Sequence, residues 1–489
     1  MKQLGILDSA FINLEHPNTP QQIGGLGIYD PSTAPGEFVR FKDVLKNFEQ
    51  RLARMPVFRT RLVEVPGGID RPYWVTDDKF DVEYHIRHIA LPEPGDWRQL
   101  CIQVARLHSR PLDMSIPLWE CYIIEGLDNI PDLPPGSFAV YTKMHHSLVD
   151  GAGGQSFMAA LHDLEPAPAV DPVKSPMEIE YRYPPLGAAE MIGRAVFNRA
   201  RTAVPNARGL WNAARGFADT ALRMYHSELP PLPMDAPRTR FDNPVGPHRV
   251  FDASIYALAD FKAMKNATGT TLNDVAVAII SGGIRRYLKH YNELPEVSLA
   301  VNMPVNMRKR IGENQDNNQV GSMMGEIHTN VADPIERLHK VHESLEGAKK
   351  YIDTPFVDPL KLPGLAPPFL AKPMSRLYVD RKLTRLLPVG SAGVITNVPG
   401  PNFDLYCAGA RLVQFYCQGL LTPGGALFHA VFSISGTVSI SVTSDRDIMP
   451  DPQFYRQCLD ESFAEMKAAC AALAKGRLRP QAKLSDTPR

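Results

Sequence analysis

His145 and His146 stand side by side, with Asp150 four positions beyond the second and Gly151 next to it. An imidazole titrates near neutral pH, so a histidine in this setting can take a proton from one reacting group and return it to another. Asp150 has the reach to hold a ring or a loop in one geometry without touching substrate, directly or by pairing with an arginine elsewhere. The plainer reading is an ordinary polar pair at a strand end. A metal-binding pair would need a third ligand, and none is evident beside it.

The elements that must position this pair are legible around it. Phe138, Val140, Thr142 and Met144 alternate with Ala139, Tyr141 and Lys143, which predicts a strand ending where the histidines begin. Asp150-Gly151 supplies turn chemistry, and Phe157, Leu161 and Leu164 then recur at helical spacing. Upstream, a short helix is expected over 8–15, a strand over 23–29, and an amphipathic helix carried by Phe38, Phe41, Val44, Leu45, Phe48 and Leu52. Strands are expected over 73–75, 82–86 and 118–124, with a helix over 100–108. The isolated His85, His88 and His108 read as structural, and Trp119 is either a buried tryptophan or part of a lipid-binding channel.

Further on, Thr271-Leu272-Asn273-Asp274 has the form of a capping box ahead of a helix through Val275, Ala278, Ile279 and Ile284. Asn273 would then lie in the first turn, where its amide can donate a hydrogen bond to a developing oxyanion; capping alone accounts for Asp274. Strands are expected over 297–303 and 391–396. The second runs into Asn397-Val398-Pro399-Gly400-Pro401, whose prolines and glycine predict a sharp exit. A hairpin over 427–434 and 438–443 and a last helix over 454–473 complete the pattern.

At 489 residues the chain can form two ordinary domains. Apolar residues make up 44% and charged residues 22%, as in soluble globular proteins. Lys plus Arg equals Asp plus Glu, 53 each, so no overall field draws the protein to nucleic acid. Six scattered cysteines without a Cys-x-x-Cys suggest reduced core residues and no metal site. No signal-peptide core is evident, and the apolar runs fall short of the roughly 20 residues of a spanning helix. After Pro205, Leu210, Ala214, Phe217, Ala221 and Tyr225 line one side of a helix over 206–226, with Arg208, Arg215 and Arg223 on another. It either packs between domains or rests on an anionic lipid surface.

The run His145-His146-x-x-x-Asp150-Gly151 matches the HHxxxDG signature of the acyl-CoA-dependent acyltransferase superfamily that includes chloramphenicol acetyltransferase and condensation domains. Pro117-Leu118-Trp119, Asn273-Asp274, Asn397-Val398-Pro399-Gly400-Pro401 and Asp445-Arg446-Asp447 narrow the resemblance to the bacterial wax ester synthase/diacylglycerol acyltransferases. The order and spacing match from Leu4 to the last helix, with Thr396 where the family usually has serine. The resemblance implies an α/β (α+β) fold of two chloramphenicol-acetyltransferase-like domains, each a mixed sheet with flanking helices, and an active site at their interface. The expected division is an N-terminal domain over 1–165, a Pro-rich linker with the basic helix over 166–248, a C-terminal domain over 249–475 and a disordered tail over 476–489.

It also implies transfer of a long-chain acyl group from acyl-CoA, a co-substrate and not a bound cofactor, to a fatty alcohol or diacylglycerol. His146 would be the general base, His145 its structural neighbour, Asp150 the support, Asn273 the oxyanion donor and Arg308 the partner of Asp150 by analogy. Trp119, Gly151, Asn397 and Pro399 are the expected substrate contacts. The expected location is cytoplasmic, peripheral to the inner membrane or lipid droplets. Two other readings share these features: a condensation-type acyltransferase, which would usually sit beside carrier domains, and a catalytically silent lipid-droplet protein. The acceptor is not legible, because pocket width is not.

Overall fold

The computed structural model describes residues 2–52, 55–148, 158, 161–167, 184, 186–233, 236–306, 320–354, 366–386 and 391–478. In chain order the strands are β1 (Lys2–Gln3), β2 (Gln22–Asp30), β3 (Thr60–Val63), β4 (Tyr73–Thr76), β5 (Ile86–Ala90), β6 (Trp119–Glu125) and β7 (Phe138–His145). They continue as β8 (Arg249–Ala257), β9 (Ala300–Asn306), β10 (Val320–Glu326), β11 (Gly393–Pro399), β12 (Tyr406–Cys407), β13 (Ala410–Gln418), β14 (Leu427–Ile434) and β15 (Thr437–Asp445). Among the described residues they form two mixed six-stranded sheets, β12-β13-β2-β7-β6-β5 and β10-β9-β11-β14-β15-β8, and a small sheet β1-β4-β3.

The expected division at residue 249 follows chain order but not sheet membership. β13 leaves the second half of the chain and pairs antiparallel with β2, from Arg411 opposite Asp30 to Gln418 opposite Gly24. The second sheet holds that strand from behind: Ser439 Oγ donates to the Phe415 carbonyl at 2.7 Å and Ser441 Oγ to the Cys417 carbonyl at 2.6 Å. On the other side of β13, β2 must pass beneath aromatic rings. A Cβ at Gly24 would lie 2.6 Å from the Tyr141 hydroxyl, so glycine permits the approach.

Both faces of the first sheet are covered, which is why β7 is apolar on both sides. Phe138, Val140 and Met144 pack with Phe48 and Trp119, while Ala139 and Tyr141 pack with Leu26, Leu100 and Val104. Lys143 is the exception and is fully buried. Its ammonium lies 2.9 Å from Glu120 and donates to the carbonyls of Leu107 (3.1 Å) and Arg110 (2.9 Å). Burial pushes the Lys143 pKa down; burial would raise that of Glu120, but Lys143 and the Tyr122 hydroxyl leave it lowered. In the second half, Val275, Ile279, Ile280 and Ile284 of the helix Leu272–His290 pack on Val301, Ile395, Val431 and Ile440 of the sheet.

Four elements depart from the sequence reading. Val82, Tyr84 and Ile86 have strand spacing, yet Val82–His85 is a helical turn because Asp81 Oδ1 accepts the Glu83 N–H at 2.9 Å; the strand starts at Ile86. The basic helix runs over Ala188–Tyr225, 38 residues, with Pro205 inside it and not at its start. Asn397-Val398-Pro399 continues β11, parallel to β14, and the exit comes at Gly400. The last helix, Pro452–Leu478, extends the expected 454–473 at both ends.

The isolated histidines serve structure. His108 Nδ1 meets the Tyr141 hydroxyl at 2.8 Å and burial brings its pKa down to about 3; His85 Nδ1 meets the Trp119 carbonyl at 2.7 Å. All six cysteines are free, five of them buried.

Candidate active site

The end of β7 treats its two histidines differently. The His145 N–H donates to the Leu118 carbonyl at 2.9 Å, and the His146 N–H to the Gln21 carbonyl at 2.8 Å, so both main chains are fixed by neighbouring segments. His145 is enclosed at 1% exposure. Its Nδ1 accepts the Ser147 N–H at 3.1 Å and lies 2.7 Å from Ser147 Oγ, while Nε2 lies 3.3 Å from Glu15. Glu15, just after the helix Ile6–Leu14, also accepts the Gln21 N–H at 2.6 Å. One carboxylate thereby ties the first helix, the β2 lead-in and the His145 ring together.

His146 is half-buried, and its ring stacks on Phe11 with centroids 4.1 Å apart and planes at 20°. Phe11 belongs to the same helix Ile6–Leu14. Of the two histidines only this one is partly exposed. Asp150, Gly151 and Arg308 lie outside the described residues, as does most of the helix expected after the turn.

The capping box expected at Thr271 is present. Thr271 Oγ1 accepts the Asp274 N–H at 3.2 Å and Asp274 Oδ2 accepts the Thr271 N–H at 2.9 Å, opening the helix Leu272–His290. Asn273 therefore sits half-buried in the first turn. Asn397 Nδ2 donates to Asn273 Oδ1 at 3.2 Å, so two residues 124 positions apart meet. With its oxygen engaged, Asn273 presents its amide nitrogen as a donor.

Asn397 and Pro399 are exposed at the end of β11. Val398 between them packs against the cluster that holds Met144 and Leu148, the residues flanking the histidines. Gly400 makes the close exit possible: its N–H donates to the Ser433 carbonyl at 2.8 Å, and a Cβ there would lie 2.4 Å from that oxygen. Trp119 is not on an open surface. It is 1% exposed, its indole N–H donates to the Phe58 carbonyl at 2.8 Å, and its ring stacks on His85 at 4.7 Å.

Three contributors have no local signal in the sequence. Glu15 and Phe11 act on the histidines from more than 120 positions away, and His342 Nδ1 lies 2.7 Å from Asp274 Oδ2. Asp445 of the Asp445-Arg446-Asp447 run is the 2%-exposed last residue of β15, and its carboxylate accepts the N–H groups of Gly246 (2.7 Å) and Asp447 (2.8 Å). Among the described residues no group of three His, Cys, Asp or Glu is placed to hold a metal ion.

The profile of the wax ester synthase/diacylglycerol acyltransferase catalytic domain matches residues 4–276, and that of the family's C-terminal domain matches residues 317–467. The chain belongs to this family. It is 31% identical to a Mycobacterium bovis protein assigned as a diacylglycerol O-acyltransferase, over 94% of this chain and 98% of that one. A similarly assigned Mycobacterium tuberculosis protein is also 31% identical, over 95% and 99%.

The solved wax ester synthase/diacylglycerol acyltransferase of Marinobacter aquaeolei superposes with a TM-score of 0.67 at 26% identity, covering 96% of this chain and all of that one. The starter condensation domain of rhizomide synthetase shares the fold at 12% identity, with a TM-score of 0.54 over 96% of this chain and 94% of that one. The α/β architecture expected from the histidine run is thus present, and the chain is an acyltransferase of the wax ester synthase/diacylglycerol acyltransferase family, whose substrate is acyl-CoA.

Proposed function

We propose that this acyltransferase joins a long-chain acyl group to a fatty alcohol, and also to diacylglycerol, with His146 as the base. The observation that carries the assignment is the asymmetry at the end of β7: His145 is locked by Ser147 and Glu15, while His146 keeps a reachable face against Phe11. The alcohol oxygen attacks the thioester carbonyl as His146 takes the hydroxyl proton. A C–O bond forms, the C–S bond breaks, and the proton passes to the departing CoA thiolate. The Asn273 amide stabilises the oxyanion, and Asn397 orients that amide. Asp150, Gly151 and Arg308, which lie outside the described residues, are assigned supporting and substrate roles from the family resemblance alone. Asn397 and Pro399, exposed at the end of β11, are assigned as substrate contacts.

Direct transfer needs both substrates present together at His146. No helix among the described residues is long and apolar enough to cross a membrane. Contact with lipid is instead assigned to surface helices at the inner membrane or a lipid droplet. The helix Pro368–Asp380 exposes Phe369, Leu370, Met374 and Leu377, with Arg376, Arg381, Lys382 and Arg385 around them. It adjoins the N-terminal segment, where His16 lies 3.1 Å from Asp380. The helix Ala188–Tyr225 exposes Phe197, Trp211 and Leu222 as well, a second surface of the same kind.

The test is CoA thiol release from palmitoyl-CoA with hexadecanol or dioleoylglycerol. His146→Ala should lower acceptor-dependent release by roughly two to four decades. Release unchanged in that variant would remove His146 from the mechanism.

A further inference from the structure

A cavity of about 1000 Å³ lies between the segment that follows the helix Ala188–Tyr225 and the outer face of the helix Pro334–Lys349. Its apolar lining comes from Met224, Leu229 and Leu232, with Pro230 and Pro231 beside them. Its charged lining is mostly anionic: Glu228, Glu343 and Glu346 against Lys350. Arg223 lies 3.6 Å from Glu228 and Lys349 pairs with Glu346, so two of the three carboxylates have counter-charges outside the lining. What remains toward the space is a set of acceptors. His342 borders the same space, with Nδ1 2.7 Å from Asp274 Oδ2.

Acceptors beside hydrocarbon recognise a molecule with hydroxyl donors on an aliphatic body. The phosphates of CoA are themselves acceptors and anions, and this lining offers them Lys350 alone. The volume is ample for one lipid chain with its head. Asp274 then connects the cavity to the reaction, since it caps the helix whose first turn carries Asn273.

We propose that this cavity docks the uncharged hydroxyl-bearing lipid, and that the His342–Asp274 pair couples its floor to the Asn273 amide. Its role as the acceptor's docking site rests on the acyltransferase reading above; its ligand class rests on the lining alone.

The experiment uses the full chain with a diazirine-bearing hexadecanol analogue, irradiated and mapped by peptide mass spectrometry. Labelling is expected in peptides covering 224–232 and 342–350, displaced by hexadecanol and not by palmitoyl-CoA. Leu232→Trp, which fills the space, should cut that labelling and raise the acceptor KM about tenfold, the equivalent of about 1.4 kcal/mol of binding. The palmitoyl-CoA KM should stay within about twofold, because the donor does not use this lining. His342→Gln keeps a hydrogen-bonding amide toward Asp274 while removing the imidazole; it should raise the acceptor KM several-fold with both thermal melting and the palmitoyl-CoA KM unchanged. Labelling elsewhere, displacement by palmitoyl-CoA, or labelling unaffected by both variants would overturn the proposal. Displaceable labelling at these peptides without any thiol release would sustain the lipid site and remove the catalytic reading instead.

Discussion

Asn273 and Asn397 give the sharpest test of the mechanism, because one contact links a proposed oxyanion donor to the residue that aims it. Asn273→Ala removes the donor. Loss of one such group costs about 10²–10³ in kcat, about 2.7–4 kcal/mol of transition-state stabilisation. Asn397→Ala leaves the donor in place but removes the 3.2 Å hydrogen bond that fixes its oxygen. Both residues lie at the surface of the site, so that bond is an ordinary neutral one of about 0.5–1.5 kcal/mol, or roughly two- to twelvefold in kcat. The double variant is the decisive member: once Asn273 is gone Asn397 has nothing to aim, and the second substitution should cost less than about twofold. The assay is steady-state thiol release at saturating hexadecanol, with kcat and KM separated. Full additivity, with Asn397→Ala costing the same in both backgrounds, would refute the positioning argument. A large rise in acyl-CoA KM at unchanged kcat would show that Asn273 binds donor instead of stabilising the transition state.

Lys143→Met should destabilise the protein by about 3–5 kcal/mol, because it leaves Glu120 and two carbonyls without their ammonium partner; Lys143→Met with Glu120→Gln should recover much of that loss. Chemical denaturation of the four variants in the cycle measures the coupling, and equal loss in the double variant would contradict it.

Acid should unfold the protein through its buried neutral histidines. Burial holds His108 and His429 down to about 3 and His162 to about 4, so the unfolded chain binds protons that the folded chain refuses. Stability is then fully present above about pH 6.5 and falls by about 1.4 kcal/mol per pH unit for each histidine below it, until the folded pKa is reached. A flat thermal midpoint between pH 6.5 and 4.5 would contradict this.

Phe369→Asp with Leu377→Asp should lower co-sedimentation with anionic vesicles several-fold at low salt while turnover of a soluble short-chain alcohol persists. Unaltered sedimentation would move lipid contact to the helix Ala188–Tyr225.

The features legible in the sequence are those decided within a few residues. The capping box at Thr271, the strand running into His145 and the hairpin around Ser435-Gly436 are short-range patterns, and each is present. Where two local signals competed, the pattern alone misled: alternation at Val82, Tyr84 and Ile86 spells a strand, but one Asp81 cap makes a turn of helix. Pro205 looks like a helix start, yet the helix passes through it.

Tertiary structure decided the rest because the partners are far apart in the chain. β13 could join either sheet by its own pattern, and only its pairing with β2 and the Ser439 and Ser441 bonds behind it choose the first. The sequence separates the two histidines only through the family resemblance; their local residues do not. It is the enclosure of one by Ser147 and Glu15, and the open stacking of the other on Phe11, that separates support from proposed chemistry. Burial and long-range hydrogen bonds are properties of the folded chain, so neither the isolation of His145 nor the meeting of Asn273 with Asn397 is written in any local run of residues.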